Sequence, residues 1–70
     1  MTAEMFNAMV LEMRKYRKIS NRTEVENYIY DLSQAVREIG RRELANQLCD
    51  LVDEIENINT EELAKFGTFN

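Results

Sequence analysis

Apolar side chains recur along this chain at the three- and four-residue spacing of an α-helix, and the first stripe is rich in Met. Thr2 precedes this stripe as an N-cap, and a group of cations follows it, where the negative end of a helix dipole favours positive charge. The pattern predicts a first helix over residues 3–18. Its stripe consists of Phe6, Met9, Val10 and Met13.

The second stripe begins after a cluster of cap-forming residues and ends immediately before Gly40, a residue suited to the position that follows a helix. It predicts a helix over residues 22–39. We expect one narrow stripe of this helix to face the core, namely Val25, Tyr28, Ile29, Leu32, Ala35, Val36 and Ile39.

The third stripe alternates spacings of four and three residues, which is a heptad pattern, and it predicts a helix over residues 42–57. Asn59 and Glu62 then have the spacing of a capping box. They predict a short final helix over residues 60–66, ended by Gly67. Residues 68–70 are expected to be loose.

These patterns predict an all-α fold in which residues 1–70 form a single domain. Proline is absent and the chain has only two glycines, so the punctuation that strands and hairpins need is missing. The second and third helices are expected to form an antiparallel hairpin, with the first helix lying across it. A domain of 70 residues has a thin core, so we expect a homodimer, with the first helix packed within its own chain or on the second subunit.

The composition argues against an enzyme. The chain has no histidine, no glycine-rich phosphate loop and a single cysteine, Cys49, with no helix N-terminus nearby to activate its thiol. We therefore expect no catalytic residues and no cofactor. A lone cysteine fits the reducing cytoplasm, and the longest apolar run has four residues, so no membrane span is expected.

The charge of the chain is divided. Residues 1–42 carry eight Lys and Arg against six Asp and Glu, whereas residues 43–70 carry one Lys against seven acidic residues. Such asymmetry indicates an electrostatic interaction surface. We expect the acidic side chains to line a helical surface that binds another protein with a basic surface: Glu43, Asp50, Asp53, Glu54, Glu56, Glu61 and Glu62.

The main functional hypothesis is therefore a small helical regulator or adaptor without catalytic activity. In its most specific version, the partner is a protein that binds nucleic acid. Blocking such a partner would make the chain an inhibitor. Leu11 and Tyr30 project from polar helix faces and are the expected apolar anchors of the interface.

The alternative hypothesis is a regulator that itself contacts nucleic acid. The segment around Tyr16 concentrates five cations in nine residues, which is a pattern that can bind phosphates. The net charge of −4 opposes it, because the long-range field of the chain repels nucleic acid. The residues concerned are Arg14, Lys15, Arg17, Lys18 and Arg22.

A third hypothesis is a helical hydrolase that depends on Mg²⁺, with ligands among Asp50, Asp53, Glu54 and Glu56. Sites of this kind collect carboxylates from two facing helices. The facing helix offers only carboxylates that lie off its apolar stripe, so a solvated helix face is the favoured interpretation and no metal is expected.

Overall fold

A computed structural model describes residues 1–69, which form four α-helices and no strand. Their bounds are α1 at Ala3–Met13, α2 at Arg22–Glu38, α3 at Arg42–Glu56 and α4 at Thr60–Ala64. The prediction of an all-α fold with three main helices and a short C-terminal helix is confirmed. The last three helices end within two residues of their predicted ends. None of the helices in this described part is long and apolar enough to cross a membrane.

Three of the helices begin at side chains that cap them. Thr2 Oγ1 accepts the backbone N–H of Met5 at 3.1 Å, and Asn21 Oδ1 accepts the N–H of Glu24 at 2.9 Å. Asn59 does the same for the first turn of α4. Each cap satisfies a donor that the helix itself leaves free, which explains why the cap-forming residues located these starts correctly.

The first helix ends at Met13, five residues before its predicted end at Lys18. The N–H groups of Lys15 and Tyr16 bond to carbonyls only three residues back, so the last turn tightens and the chain leaves the helix. This exit brings Ile19 into the core, with 6% of its surface exposed. Ile19 was not part of the predicted stripe, and its burial accompanies the early end of α1.

Gly40 makes the turn between α2 and α3. Its φ of +88° lies in the left-handed region that favours glycine, and its N–H bonds to the carbonyl of Arg37. The N–H of Arg41 bonds to the carbonyl of Val36 at 2.9 Å. These two bonds make a Schellman motif, so α2 stops sharply and α3 returns along it as an antiparallel hairpin.

The core lies at the open end of this hairpin, where α1 and α4 pack. Its most deeply buried large side chains are Phe6 and Val10 from α1, Val25 from α2 and Ile55 from α3. The first helix therefore packs within its own chain. The radius of gyration is 12.6 Å, against about 11 Å for a compact chain of this length, because the hairpin tip extends beyond the core.

The expectation that residues 68–70 are loose is wrong for Thr68 and Phe69, while Asn70 lies outside the described residues. Only 5% of the Thr68 surface is exposed, and its hydroxyl donates to the side-chain oxygen of Asn7. The Phe69 ring lies 6.0 Å from the ring of Phe6, between centroids. The positive φ of Gly67 allows the chain to turn back onto α1 at this point.

The predicted core stripe of α2 divides into two. Val25 and Ile29 of that stripe are buried, and Ser33, which the prediction did not include, continues their line four residues later and is also buried. Val36 is half-buried, and the other apolar side chains of the stripe face solvent, contrary to the prediction, because the shorter α1 adds to the core only beside the first turns of α2. We call them the α2 face: Tyr28, Leu32, Ala35 and Ile39.

Candidate functional site

The acidic side chains of α3 lie on its solvent-exposed side. Asp50, Asp53 and Glu54 are neighbours at three- and four-residue spacing, and Glu43 continues the line one heptad before Asp50. All four are exposed. We call these four residues the acidic ridge.

Most of the ridge has no counter-charge within residues 1–69. The ion pairs in this range are Glu54 with the amino group of Met1, at 3.2 Å, and Glu12 with Lys15, at 2.9 Å. The cations that the sequence placed in the first half of the chain therefore do not neutralise Asp50 and Asp53. The ridge therefore presents its negative charge to solvent.

Glu56 is not part of the ridge, because its position on α3 turns it toward the start of α2. The partial burial of Glu26 is the larger cause of the raised pKa of its carboxyl, and the negative charge of Glu56 raises that pKa further. Arg22, one turn earlier, lowers the same pKa. The helical periodicity alone does not place Glu26 beside Glu56, since their approach depends on how α2 and α3 pack.

Glu61 and Glu62 occupy the first turn of α4 and are exposed. Their backbone N–H groups both bond to Asn59 Oδ1, and acidic side chains are favoured at this end of a helix dipole. These two residues therefore have a structural reason to be acidic, besides the partner-binding role predicted for them.

Two arginines of the basic segment bond to backbone carbonyls of their own chain. Arg14 donates to the carbonyls of Ile19 and Thr68, at 3.1 and 2.6 Å, and Arg22 donates to the carbonyl of Ile58 at 3.1 Å. These two guanidinium groups join the loop after α1, the C-terminal tail and the connection between α3 and α4. Their positive charge is used in holding segments of the chain together.

The other cations of this segment are dispersed. The Arg17 guanidinium carbon lies 4.1 Å from the centroid of the Tyr28 ring, which is the distance of a cation–π contact. Lys15 pairs with Glu12. Lys18 is exposed beside them.

The carboxylates that the metal hypothesis needs are not brought together. Within residues 1–69 no group of three or more Asp, Glu, His or Cys side chains is arranged to hold a metal ion. Cys49 is half-buried between α2 and α3, and its thiol donates to the hydroxyl of Ser33 at 3.6 Å. The Ser33 hydroxyl in turn donates to the carbonyl of Tyr30, so the buried polar atoms of the hairpin satisfy one another.

A shallow pocket of about 360 Å³ lies between the start of α2, α4 and the tail. Leu63, Ala64 and Phe69 make its apolar wall, and Arg22 and Thr60 are its polar residues. The Arg22 guanidinium already donates to the Ile58 carbonyl. The pocket therefore offers few free groups that could orient a ligand.

Both predicted anchors are exposed. Leu11 has 53% of its surface exposed on α1, and Tyr30 has 52% exposed on the side of α2 away from the α2 face. The larger apolar surface is the α2 face itself, which the sequence assigned to the core. A signal for it was present: Glu24, Asp31 and Glu38 recur every seventh residue beside it, as acids do at the boundary of an exposed stripe.

No protein-family model matches this chain, and comparison with curated proteins and with solved structures gives no match either.

Proposed function

We propose that this protein is a small helical adaptor or regulator that acts by binding another protein through its acidic surface. The observation that carries the proposal is the acidic ridge, whose Asp50 and Asp53 carboxylates are exposed and have no ion-pair partner within residues 1–69. A partner with Lys or Arg side chains at matching intervals would supply the missing charge.

Charge of this kind acts mainly on the rate and selectivity of association. Complementary fields steer two proteins together and reject partners of the same sign. Affinity then requires apolar contacts that exclude water, and the exposed Leu11 and Tyr30 are the anchors that we propose for this purpose. A basic groove that otherwise holds nucleic acid is one such target, which would make the protein an inhibitor.

The hydrogen bonds of Arg14 and Arg22 favour a protein partner over direct binding of nucleic acid. Arg14 and Arg22 donate to backbone carbonyls, so binding a phosphate with them would compete with contacts that join parts of the fold. A cytoplasmic setting and a homodimer belong to the proposal as predictions from the lone Cys49 and the small core.

Charge reversal on the ridge tests the proposal. The variant Asp50→Lys/Asp53→Lys and the wild-type chain are used as baits for proteins of the native host. We expect the variant to lose the partner, because each substitution replaces attraction to a basic surface by repulsion.

The matched control is Glu4→Lys/Glu12→Lys, which makes the same change in net charge on α1. It is expected to retain the partner, and circular dichroism is used to establish that both variants keep their helices. Equal loss in the two variants would show that net charge, rather than the ridge, governs capture.

A further inference from the structure

We propose that the α2 face is the docking site for a basic amphipathic helix of the partner. This inference rests on the proposed function, since it assumes a protein partner. It specifies that the segment of the partner in contact with α2 is helical, amphipathic and basic. It uses side chains on α2 that are separate from the acidic ridge of α3.

The α2 face has the geometry of half a helix–helix interface. Its residues follow one another at spacings of four, three and four, which places them within one narrow arc of the helix. Tyr28 is 38% exposed, Leu32 41% and Ile39 75%. A second helix packed along this arc would bury all of them together, as the two-residue-per-heptad stripe of a coiled coil does.

The charges beside this face determine the kind of helix that fits. Glu24, Asp31 and Glu38 form an acidic line at seven-residue spacing, and all three are exposed. Glu24 accepts the backbone N–H of Ser20 at 2.8 Å, which leaves Asp31 and Glu38 as the freer charges. A partner helix with Lys or Arg beside its apolar stripe would pair with this line.

The two ends of the face carry cations of this chain. Arg17 lies over the ring of Tyr28 at one end, and Arg41 and Arg42 lie at the hairpin tip next to Ile39. The favourable region for a basic partner therefore lies at the middle of the face, around Leu32. This position limits the length of partner helix that is matched in charge.

A second copy of this chain fits the face less well. Two α2 faces packed antiparallel about a two-fold axis would place their acidic lines side by side, with Asp31 of one copy near Glu38 of the other. A parallel packing would bury the acids against the apolar flank that includes Val36. The acidic line thus selects against self-pairing and for a partner of opposite charge.

The experiment uses a synthetic helical peptide of three heptads, with Leu at the a and d positions, Lys at the e and g positions of the central heptad and Gln at those of the outer two. Repulsion between its lysines opposes self-association of the peptide. One control peptide has Glu in place of Lys, and another has the same composition in an order without an apolar stripe. Binding to the full chain is measured by fluorescence anisotropy and by ¹⁵N chemical-shift changes.

We expect the Lys peptide alone to bind and to shift the amide resonances of residues 28–39. The variant Leu32→Ser/Ile39→Ser should weaken binding about tenfold or more, because it removes two apolar anchors. Asp31→Lys/Glu38→Lys should weaken it similarly. Asp50→Lys/Asp53→Lys, on the ridge, should leave the affinity within about threefold. These side chains are exposed, so the variants are expected to fold.

Three results would each overturn the inference. They are unchanged affinity in Leu32→Ser/Ile39→Ser, equal binding of the control peptide that lacks an apolar stripe, and chemical-shift changes confined to α3. A wild-type dimer that Leu32→Ser/Ile39→Ser converts to monomer in sedimentation equilibrium would also overturn it, by making a second copy the occupant. The proposed function fails separately, when the ridge variant still captures the host partner.

Discussion

Single side chains join the distant parts of this small fold, and Arg14 is the main example. Its guanidinium group donates to carbonyls of the loop after α1 and of the C-terminal tail. It also lies 5.4 Å from the centroid of the Phe69 ring. The sequence placed Arg14 in a basic cluster, whereas the structure gives it a role that depends on the planar, forked shape of its donors.

Replacement of Arg14 by Lys therefore separates shape from charge. Lys keeps the positive charge but cannot reach both carbonyls at once, so we expect the free energy of unfolding to fall by about 1–2 kcal/mol. Urea denaturation measures the change. The control is Lys18→Gln, which removes a charge at an exposed site and should alter stability by about 0.5 kcal/mol or less. A fully stable Arg14→Lys variant would contradict the structural role.

Glu26 gives the protein a pH dependence of its own. Burial, and then the charge of Glu56, raise the pKa of the Glu26 carboxyl above its ordinary value of 4.5. A carboxyl that holds its proton more tightly in the folded state favours folding below its unfolded-state pKa, and this contribution is lost as the pH rises through the folded-state pKa. At neutral pH the ionised group is therefore destabilising.

The variant Glu26→Gln should be more stable than the wild type at pH 7, by about 0.5 kcal/mol or less because solvent screens the group. The difference should disappear at acid pH, below the ordinary pKa. Thermal unfolding followed over a pH series checks this. The matched control is Glu38→Gln, at an exposed site of the same helix. Glu24→Gln is unsuitable because Glu24 accepts the backbone N–H of Ser20. A gain that is the same at every pH would exclude the titration of Glu26 as its cause.

At the scale of elements, the turn at Gly40 determines the hairpin. An added Cβ would meet no atom within 4 Å, so the cost of a substitution there comes from the backbone conformation alone. We expect Gly40→Ala to lower the free energy of unfolding by about 1 kcal/mol, because L-residues avoid this left-handed region. Gly40→Asn should cost less, since Asn tolerates that conformation better. Equal stability of Gly40→Ala and wild type would contradict the assigned turn.

The starts of α1, α2 and α4 could be predicted because they depend on local chemistry, namely caps that bond to their own helix. The end of α1 could not, because it depends on the distant burial of Ile19 and on carbonyls that only the folded chain brings to Arg14. The assignment of the α2 stripe failed for a related reason. Periodicity shows which side chains of α2 lie on one side of the helix. It does not show how many of them α1 covers, because that depends on the length of α1.

At the scale of the whole molecule, the acidic side chains of the second half of the sequence are exposed to solvent. Of the predicted acidic surface, four side chains form the ridge, Glu56 turns toward Glu26, and Glu61 and Glu62 belong to the first turn of α4. The division of charge along the sequence predicted which helix would be acidic. It could not predict which acids would share a surface, because that depends on helix rotation.

The molecule thus offers two separate surfaces, an acidic ridge on α3 and an apolar face on α2. Its axes measure 39 × 24 × 16 Å, so both surfaces lie on an elongated body in which the hairpin extends past the core. A partner that contacts only one of them would respond to one set of variants. A partner that wraps the hairpin would respond to both, with effects that add because the sites are distinct.

The central claim is that this chain works by binding a protein through its acidic ridge. The most direct measurement is quantitative mass spectrometry of host proteins captured by the wild type, by Asp50→Lys/Asp53→Lys and by Glu4→Lys/Glu12→Lys. We expect a partner with a basic surface that is retained by the first and third baits, lost by the second, and unaffected by nuclease treatment. Capture of the same proteins by all three baits, or capture that disappears with nuclease, would contradict it.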